Sequence, residues 1–319
     1  MRRSLVAVVA VVAVAITLPA CAGDEAGRPM PSDPRANSAT KVADPPTGPS
    51  GRSPSPVADD PTPTIPEPDE WIPRRAGALA VRLESTWEAR REAVRRWVRV
   101  GDPDAWPPPD DLELLVLYEQ RIYRVLAAQD RLAVAVLDRL EGPLAAEARS
   151  NVRAGGALHD HFSPVKTLPD FRIRAPEPAD ALLRYFDEGE RRFGVDWEVL
   201  AAVMLIETRM GRIASSSSAG AQGPMQFIPS TWDAYGLGGD VHDEHDAVLG
   251  AANYLSASGS PGDDRGALFH YNPVPAYVTA VTGYANAMSR DPDLFYAYYN
   301  WQVFVRTTHG DVRLTGPGL

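Results

Sequence analysis

The sequence predicts a mainly α-helical protein, on three observations. Apolar residues recur at helical spacing through much of residues 71–140 and again through 179–193. Eight consecutive apolar residues, Val199 to Ile206, end in a single carboxylate, Glu207, a run suited to a buried helix. Helix-breaking pairs and glycines, among them Asp102-Pro103, Gly142-Pro143, Gly194 and Gly211, fall between these stretches.

The elements follow in chain order. Arg2 and Arg3 precede Leu5 to Leu18, an apolar run broken only by Thr17. It is too short and too near the terminus to favour a permanent membrane span, so residues 1–20 read as a signal segment. The run ends in Leu18-Pro19-Ala20-Cys21, which resembles a bacterial lipobox and implies lipid attachment to the Cys21 thiol. Cys21 is the only cysteine, so no disulfide can form within the chain. A secretory signal with an incidental cysteine stays open as the alternative; either way the expected location is outside the cytoplasm, in the cell envelope.

Residues 21–70 read as a proline-rich tether. Between Ala22 and Glu70 there is no aromatic residue, while proline recurs from Pro29 to Pro68, and such a composition buries too little apolar surface to fold. At about 3.1 Å per residue, a polyproline-like segment of this length would reach about 150 Å.

The remaining residues, about 250, suffice for a packed core. They divide into a helical region, 71–168, and a second domain, 169–319. In the first, Leu79, Leu83, Trp87, Val94, Trp97 and Val98 mark one amphipathic helix within Trp71 to Val100, and Asp111 to Leu140 carries a second or a pair, together an antiparallel hairpin ended by Gly142-Pro143. His159 and His161 read as loop residues. In the second, Ala179 to Phe193 is amphipathic, Asp196 sits where a helix-starting acid belongs, and Gly211 is placed to end the helix carrying Glu207. Asp246 is read as the cap of a helix from Ala247 to about Ser256; helices are then expected at Arg265 to Tyr271 and Ala276 to Met288. Phe295, Tyr296, Tyr298, Tyr299, Trp301 and Phe304 read as packing that closes the domain. A short β-hairpin is expected at the end, from the alternation in Trp301 to Arg306, a turn at His309-Gly310-Asp311 and a return through Val312 to Leu314.

Charge narrows the function. The formal net charge is −10, and basic residues are not clustered, which argues against a nucleic-acid partner. His242-Asp243-Glu244-His245-Asp246 is rich in possible ligands but lacks a zinc spacing and reads as a solvated loop leading into a helix. No metal and no cofactor is expected.

Glu207 is the candidate for chemistry. On a helical wheel it lies within about 60° of Leu200, Val203 and Met204, with Glu198, Ala202, Leu205 and Arg209 opposite, so it points with the apolar stripe. Desolvation and the negative end of the helix dipole both raise a carboxyl pKa. A carboxylic acid still protonated near neutral pH is what glycosidic cleavage needs, because the leaving oxygen must be protonated as the bond breaks. A Glu207 that reaches a surface rim, or pairs with Arg209 or Arg212, is the plain structural alternative.

Three blocks give a more specific reading: Glu207-Thr208, Gly223-Pro224-Met225-Gln226-Phe227-Ile228-Pro229-Ser230-Thr231-Trp232, and Ala267-Leu268-Phe269-His270-Tyr271-Asn272. In this order they resemble the lytic transglycosylases that cut peptidoglycan, nearest to soluble and membrane-bound B-type domains of actinobacterial envelope proteins, over about Ala179 to Asp291. The resemblance implies a lysozyme-like α fold with Glu207 as its one catalytic acid. It further implies that Ser217, Met225, Gln226 and Phe227 line a sugar groove, with Tyr271 and Asn272 as an aromatic-amide pair beside the acid and the Tyr271 hydroxyl able to hold the carboxyl in one rotamer. Met225, Phe227 and Trp232 also suit a plain core role. Two departures stand out: Thr208 occupies a position where Ser is commoner, which keeps the hydroxyl, and Pro273-Val274-Pro275 is stiffer than the small residues often found after the aromatic-amide pair.

The implied reaction is non-hydrolytic cleavage of the β-1,4 bond between N-acetylmuramic acid and N-acetylglucosamine, leaving a 1,6-anhydro ring. Its partners would be peptidoglycan glycan strands and, through lipid at Cys21, the membrane; protein partners are not indicated. Two other readings stay open. One is a lysozyme-type hydrolase drawing a second carboxylate from Asp233, Asp240, Asp243, Glu244 or Asp246; the other is a non-catalytic peptidoglycan-binding lipoprotein.

Overall fold

The computed structural model describes residues 65–319. The signal segment, Cys21 and all of the tether up to residue 64 lie outside the described residues. Helices dominate, as expected, and no described helix is long and apolar enough to cross a membrane.

The N-terminal region is built from α1 (Ala76–Val100), α2 (Asp110–Ala127), α3 (Asp130–Leu137) and α4 (Gly142–His161). The first two pack as the expected hairpin through Leu79, Leu83, Leu112, Leu115 and Ile122, all buried. The helix α4 differs from expectation. Gly142-Pro143 starts it instead of only ending α3, because proline at the first turn has no N–H that the helix would need. His159 and His161 therefore lie in the last turn of a helix and not in a loop.

A buried ionic cluster joins three of these helices. Arg90 on α1 pairs with Glu119 on α2 (2.9 Å) and Glu147 on α4 (2.7 Å), and Trp87 Nε1 donates to Glu147 Oε2 at 2.7 Å. Two carboxylates thus share one guanidinium out of water. Burial pushes Glu119 up despite Arg90, and Glu147 adds to the rise.

The second part comprises α5 (Ala179–Phe193), α6 (Trp197–Thr208), α7 (Pro229–Tyr235), α8 (Glu244–Ala257), α9 (Asp264–Tyr271), α10 (Pro275–Arg290) and α11 (Leu294–Tyr299). The helix α6 forms the centre. Every residue from Val199 to Thr208 is buried and only Trp197 and Glu198 at its start are partly exposed, so beyond its first residues it has no solvent face, and the two-faced helical wheel read from the sequence does not describe it. The reason is tertiary: α5, α8, α10 and α11 pack around it. Asp196 takes the N-cap position but makes no capping bond; the Trp197 N–H is satisfied instead by Glu190 Oε2 of α5 at 3.0 Å.

The cap of α8 is also shifted. Asp243 Oδ1, not Asp246, accepts the capping bond, from the N–H of Asp246 at 3.0 Å, and the helix begins at Glu244. Asp246 sits in the first turn, where its charge suits the helix N-terminus.

The chain ends in an antiparallel hairpin of β1 (Phe304–Thr307) and β2 (Gly310–Arg313), with Phe304 opposite Arg313 and Thr307 opposite Gly310. The turn is Thr308-His309, one residue earlier than the sequence suggests. Val165 joins this hairpin as a third chain, its N–H donating to Arg306 O at 2.9 Å. The aromatic group of α11, with Trp301, is buried, while Phe304 is half-buried. One continuous apolar cluster runs from Ile72 to Trp301, so both halves of the described chain share a core.

Candidate active site

Glu207 closes the apolar helix α6 and is fully buried. The chain leaves through three successive left-handed residues, Arg209, Met210 and Gly211, of which only Gly211 adopts that region without steric cost. This sharp exit aims Thr208 back across the site: its Oγ1 donates to Pro224 O at 2.7 Å and accepts from Gly211 N at 3.1 Å. The hydroxyl that Thr shares with Ser is thus the part in use.

The second block arrives through a tight turn. Gly223 has φ +73°, and a Cβ placed on it would lie 1.8 Å from Val241 O, so no other residue fits without movement. Gln222 and Phe227 pair across the turn in both directions (2.9 and 2.8 Å). Gln226, itself at φ +52°, is buried and donates from Nε2 to Gly223 O at 3.0 Å. Met225 and Phe227 are buried in the core, with Phe227 edge-on to Trp232 and Tyr271. Ser217 spends its hydroxyl locally, accepting from Ala221 N at 3.0 Å.

The third block brings Tyr271 and Asn272. Tyr271 stacks parallel to Tyr277 at 6.5 Å between ring centroids. Its hydroxyl donates to Met225 O at 2.6 Å, which ties this block to the second; the phenol that acts on the Glu207 carboxyl is that of Tyr277. The sequence reasoning missed Tyr277, which lies in the first turn of α10, beyond the block that carried the resemblance. Its signal was available: Pro275 starts that helix, and a tyrosine two residues later must face inward if α10 is to pack on α6. Pro273 and Pro275 bracket the short turn that sets this angle, with Val274 N donating to Asn272 O at 2.8 Å.

Burial pushes the Glu207 carboxyl from 4.5 up to about 8, and Tyr277 opposes part of that rise. The opposition is incomplete, because neither carboxyl oxygen nor the Tyr277 hydroxyl completes a well-formed hydrogen bond. Asn272 Nδ2 and Oδ1, and Gln226 Oε1, are also buried without partners. Buried polar atoms left unpaired cost about 1–3 kcal/mol each, so such a concentration on the three blocks calls for an explanation beyond folding. The pairing of Glu207 with an arginine does not occur. Arg209 donates to Leu205 O at 2.9 Å, and Arg212 lies over the rings of Trp106 and Tyr299.

The other carboxylates are committed elsewhere. Glu244 is buried against Arg174. Asp243 caps α8, Asp246 Oδ2 accepts from Asp240 N at 2.9 Å, and Asp233 is exposed. Asp243, His245 and Asp246 stand close enough to hold an ion, but capping bonds and a 2.9 Å contact from His245 Nε2 to Glu188 Oε2 account for their placement. A cavity of about 660 Å³ counting its open mouth lies next to the second block, lined by Arg172, Arg174, Ile213, Ala214, Gly223, Pro224 and His242.

Residues 184–291 match the family model of the Transglycosylase SLT domain, so this segment is a lytic-transglycosylase-type domain with the lysozyme-like fold. The membrane-bound lytic murein transglycosylase F of Thiobacillus denitrificans (strain ATCC 25259 / T1) is 32% identical over 114 residues, which is 34% of this chain and 24% of that protein. The chain thus aligns with about a quarter of its relative's length. No solved structure matches it. The resemblance read from the three blocks is borne out over this segment.

Proposed function

We propose that this chain is a peptidoglycan lytic transglycosylase that uses Glu207 as its only acid and base. The observation that carries the reading is the burial of that carboxyl without a completed hydrogen bond, a setting that pushes its pKa up to about 8. At pH 7 such a group is mostly protonated, ready to donate to the glycosidic oxygen between N-acetylmuramic acid and N-acetylglucosamine. As the C1–O4 bond breaks, the proton moves to the leaving oxygen. The carboxylate left behind then takes the proton of the muramoyl C6 hydroxyl, whose oxygen closes on C1 to give the 1,6-anhydro ring. Glu207 is protonated again, and no water is consumed.

An internal nucleophile has a large effective-concentration advantage over water, so no second carboxylate need position one. The engagement of Asp243, Glu244 and Asp246 in capping and pairing supports this over the lysozyme-type route. Tyr277 is assigned to orient the carboxyl, and the free amides of Gln226 and Asn272 to read sugar hydroxyl and acetamido groups. Ser217, Met225, Phe227 and Tyr271 act in support, shaping the groove from behind. Because the carboxyl is enclosed, the reaction requires a local opening around it.

The working place would be the cell envelope, with lipid at Cys21 and a proline-rich tether holding the domain near the membrane. Digestion of purified peptidoglycan followed by mass spectrometry tests the reading. Anhydromuramoyl ends are expected; ordinary reducing muramic ends alone would replace it with hydrolysis. Zymography of the Glu207→Gln protein beside wild type tests the non-catalytic alternative, which predicts no clearing by either.

A further inference from the structure

A second cavity, about 1130 Å³ counting its open mouth, lies where α2, α4 and the C-terminal hairpin meet the turn that leaves α6. Glu207 does not line it. Of its lining residues only Arg209, Ile213 and Tyr284 belong to the matched segment, so it is built almost wholly from the parts of the chain outside the transglycosylase domain.

Its charge is one-sided. Arg124, Arg209 and Arg306 contribute three guanidinium groups against the single carboxylate of Asp311, which is taken by Arg124 Nε at 2.8 Å. Arg306 is held by the carbonyl of Phe162. Arg209 lies over the Trp301 ring at 5.8 Å and pairs with no carboxylate among the described residues. Burial lowers its pKa to about 10, with Arg124 adding to the fall, the mark of a cation lacking a counter-charge. Two lining residues also carry buried N–H donors without acceptors, Asn151 Nδ2 and Trp301 Nε1. Phe162, Phe171 and Phe304 supply apolar walls. An unpaired cation and unpaired donors among aromatic rings fit an anion carried on a partly apolar body.

The cavity also adjoins the one beside Gly223 and Pro224 in the second block. Residues Arg172 to Arg174 run extended against Arg212 to Ala214, with Arg174 N donating to Arg212 O at 3.0 Å and Ala214 N to Arg172 O at 2.8 Å. Side chains alternate across such a segment. Phe171 lines the Arg209 cavity, Arg172 and Arg174 line the one beside Gly223 and Pro224, and Ile213 lines both. The two spaces are separated by one extended segment.

We propose that the cavity around Arg209 is a recognition site for a carboxylate of the stem peptide that branches from the glycan. The proposal rests on the peptidoglycan reading above. N-acetylated sugars are neutral, and the lactyl carboxyl of muramic acid is consumed in the amide bond to the peptide, so the negative charge of the branched polymer resides on the peptide's free carboxylates. A strand seated beside Gly223 and Pro224 would pass its branch over the 171–174 segment toward Arg209.

The test is isothermal titration calorimetry on full-length Glu207→Gln protein, which prevents turnover. Three probes are used: glycan fragments bearing stem peptides, the same fragments stripped of peptide by an amidase, and the free stem peptide. Peptide-bearing fragments are expected to bind about tenfold more tightly than stripped ones, and free peptide should bind measurably by itself. Adding Arg209→Gln or, on the apolar wall, Phe171→Ala should reduce that preference while leaving affinity for stripped fragments unchanged. Equal affinity for both fragments, or a preference that survives both substitutions, overturns the proposal. Peptide binding that depends on Arg209 in a wild-type protein that cuts nothing would retain the cavity and reject the transglycosylase reading. Cleavage without any peptide preference would do the reverse.

Discussion

The Glu207→Gln substitution makes a prediction about stability as well as activity. In the unfolded chain the carboxyl titrates near 4.5, and in the folded protein near 8. The folded state therefore binds one more proton than the unfolded state between these values, and stability falls as pH rises through that window. At about 1.36 kcal/mol for each pKa unit, the burden approaches 5 kcal/mol above pH 8 and is about 3 kcal/mol at pH 7. Gln is nearly isosteric and carries no titrating proton. Any fixed cost of its amide is the same at every pH, so the informative quantity is how the difference between the two proteins changes. Urea unfolding of both, followed by circular dichroism, should show the variant gaining about 3–4 kcal/mol relative to wild type between pH 5 and pH 8. Glu119 also titrates out of place, but it is common to both proteins and cancels. Parallel stability profiles would refute the reasoning, since they would mean that Glu207 is hydrated or paired in solution. Loss of general acid catalysis predicts that the same variant is slower by about 10²–10⁴-fold or more on peptidoglycan.

Tyr277→Phe removes the phenol that lowers the Glu207 pKa; the alkaline limb of the pH–activity profile should move to higher pH with a several-fold loss of rate, and an unmoved limb would remove Tyr277 from the site. Gly223→Ala forces a Cβ onto Val241 O at φ +73°; a loss of about 2–3 kcal/mol in unfolding free energy is expected, together with activity, and a protein of unchanged Tm would contradict the tight turn. Arg90→Met strands Glu119 and Glu147 in the core; removing the shared partner should cost about 3–5 kcal/mol at pH 7, less at pH 4 where Glu119, pushed up by burial, is neutral, as read by urea titration at the two pH values.

Much of the outline was legible because it depends on short-range patterns. The breakers and amphipathic spacing placed α5 and α10 close to their observed ends, and the end of α1 and the start of α2, since helix termini are decided within a turn or two. Caps were less legible: Asp243 and Asp246 are both acids at the start of α8, and only the observed hydrogen bond distinguishes them. The same limit applied to Gly142-Pro143, which can end one helix or begin the next.

By itself the sequence determined that a lone acid follows an apolar helix, and that blocks around residues 207, 225 and 271 accompany it. Those are properties of composition and order along the chain. Only the tertiary structure decided that α6 is enclosed on every side, that Tyr277 and not Tyr271 turns its hydroxyl to Glu207, and that α2, α4 and the C-terminal hairpin build a cationic cavity around Arg209. Burial and hydrogen-bond partnership are set by residues distant in sequence: Tyr277 lies seventy positions beyond the acid it acts on, and local spacing carries no record of which distant groups exclude water from a carboxyl.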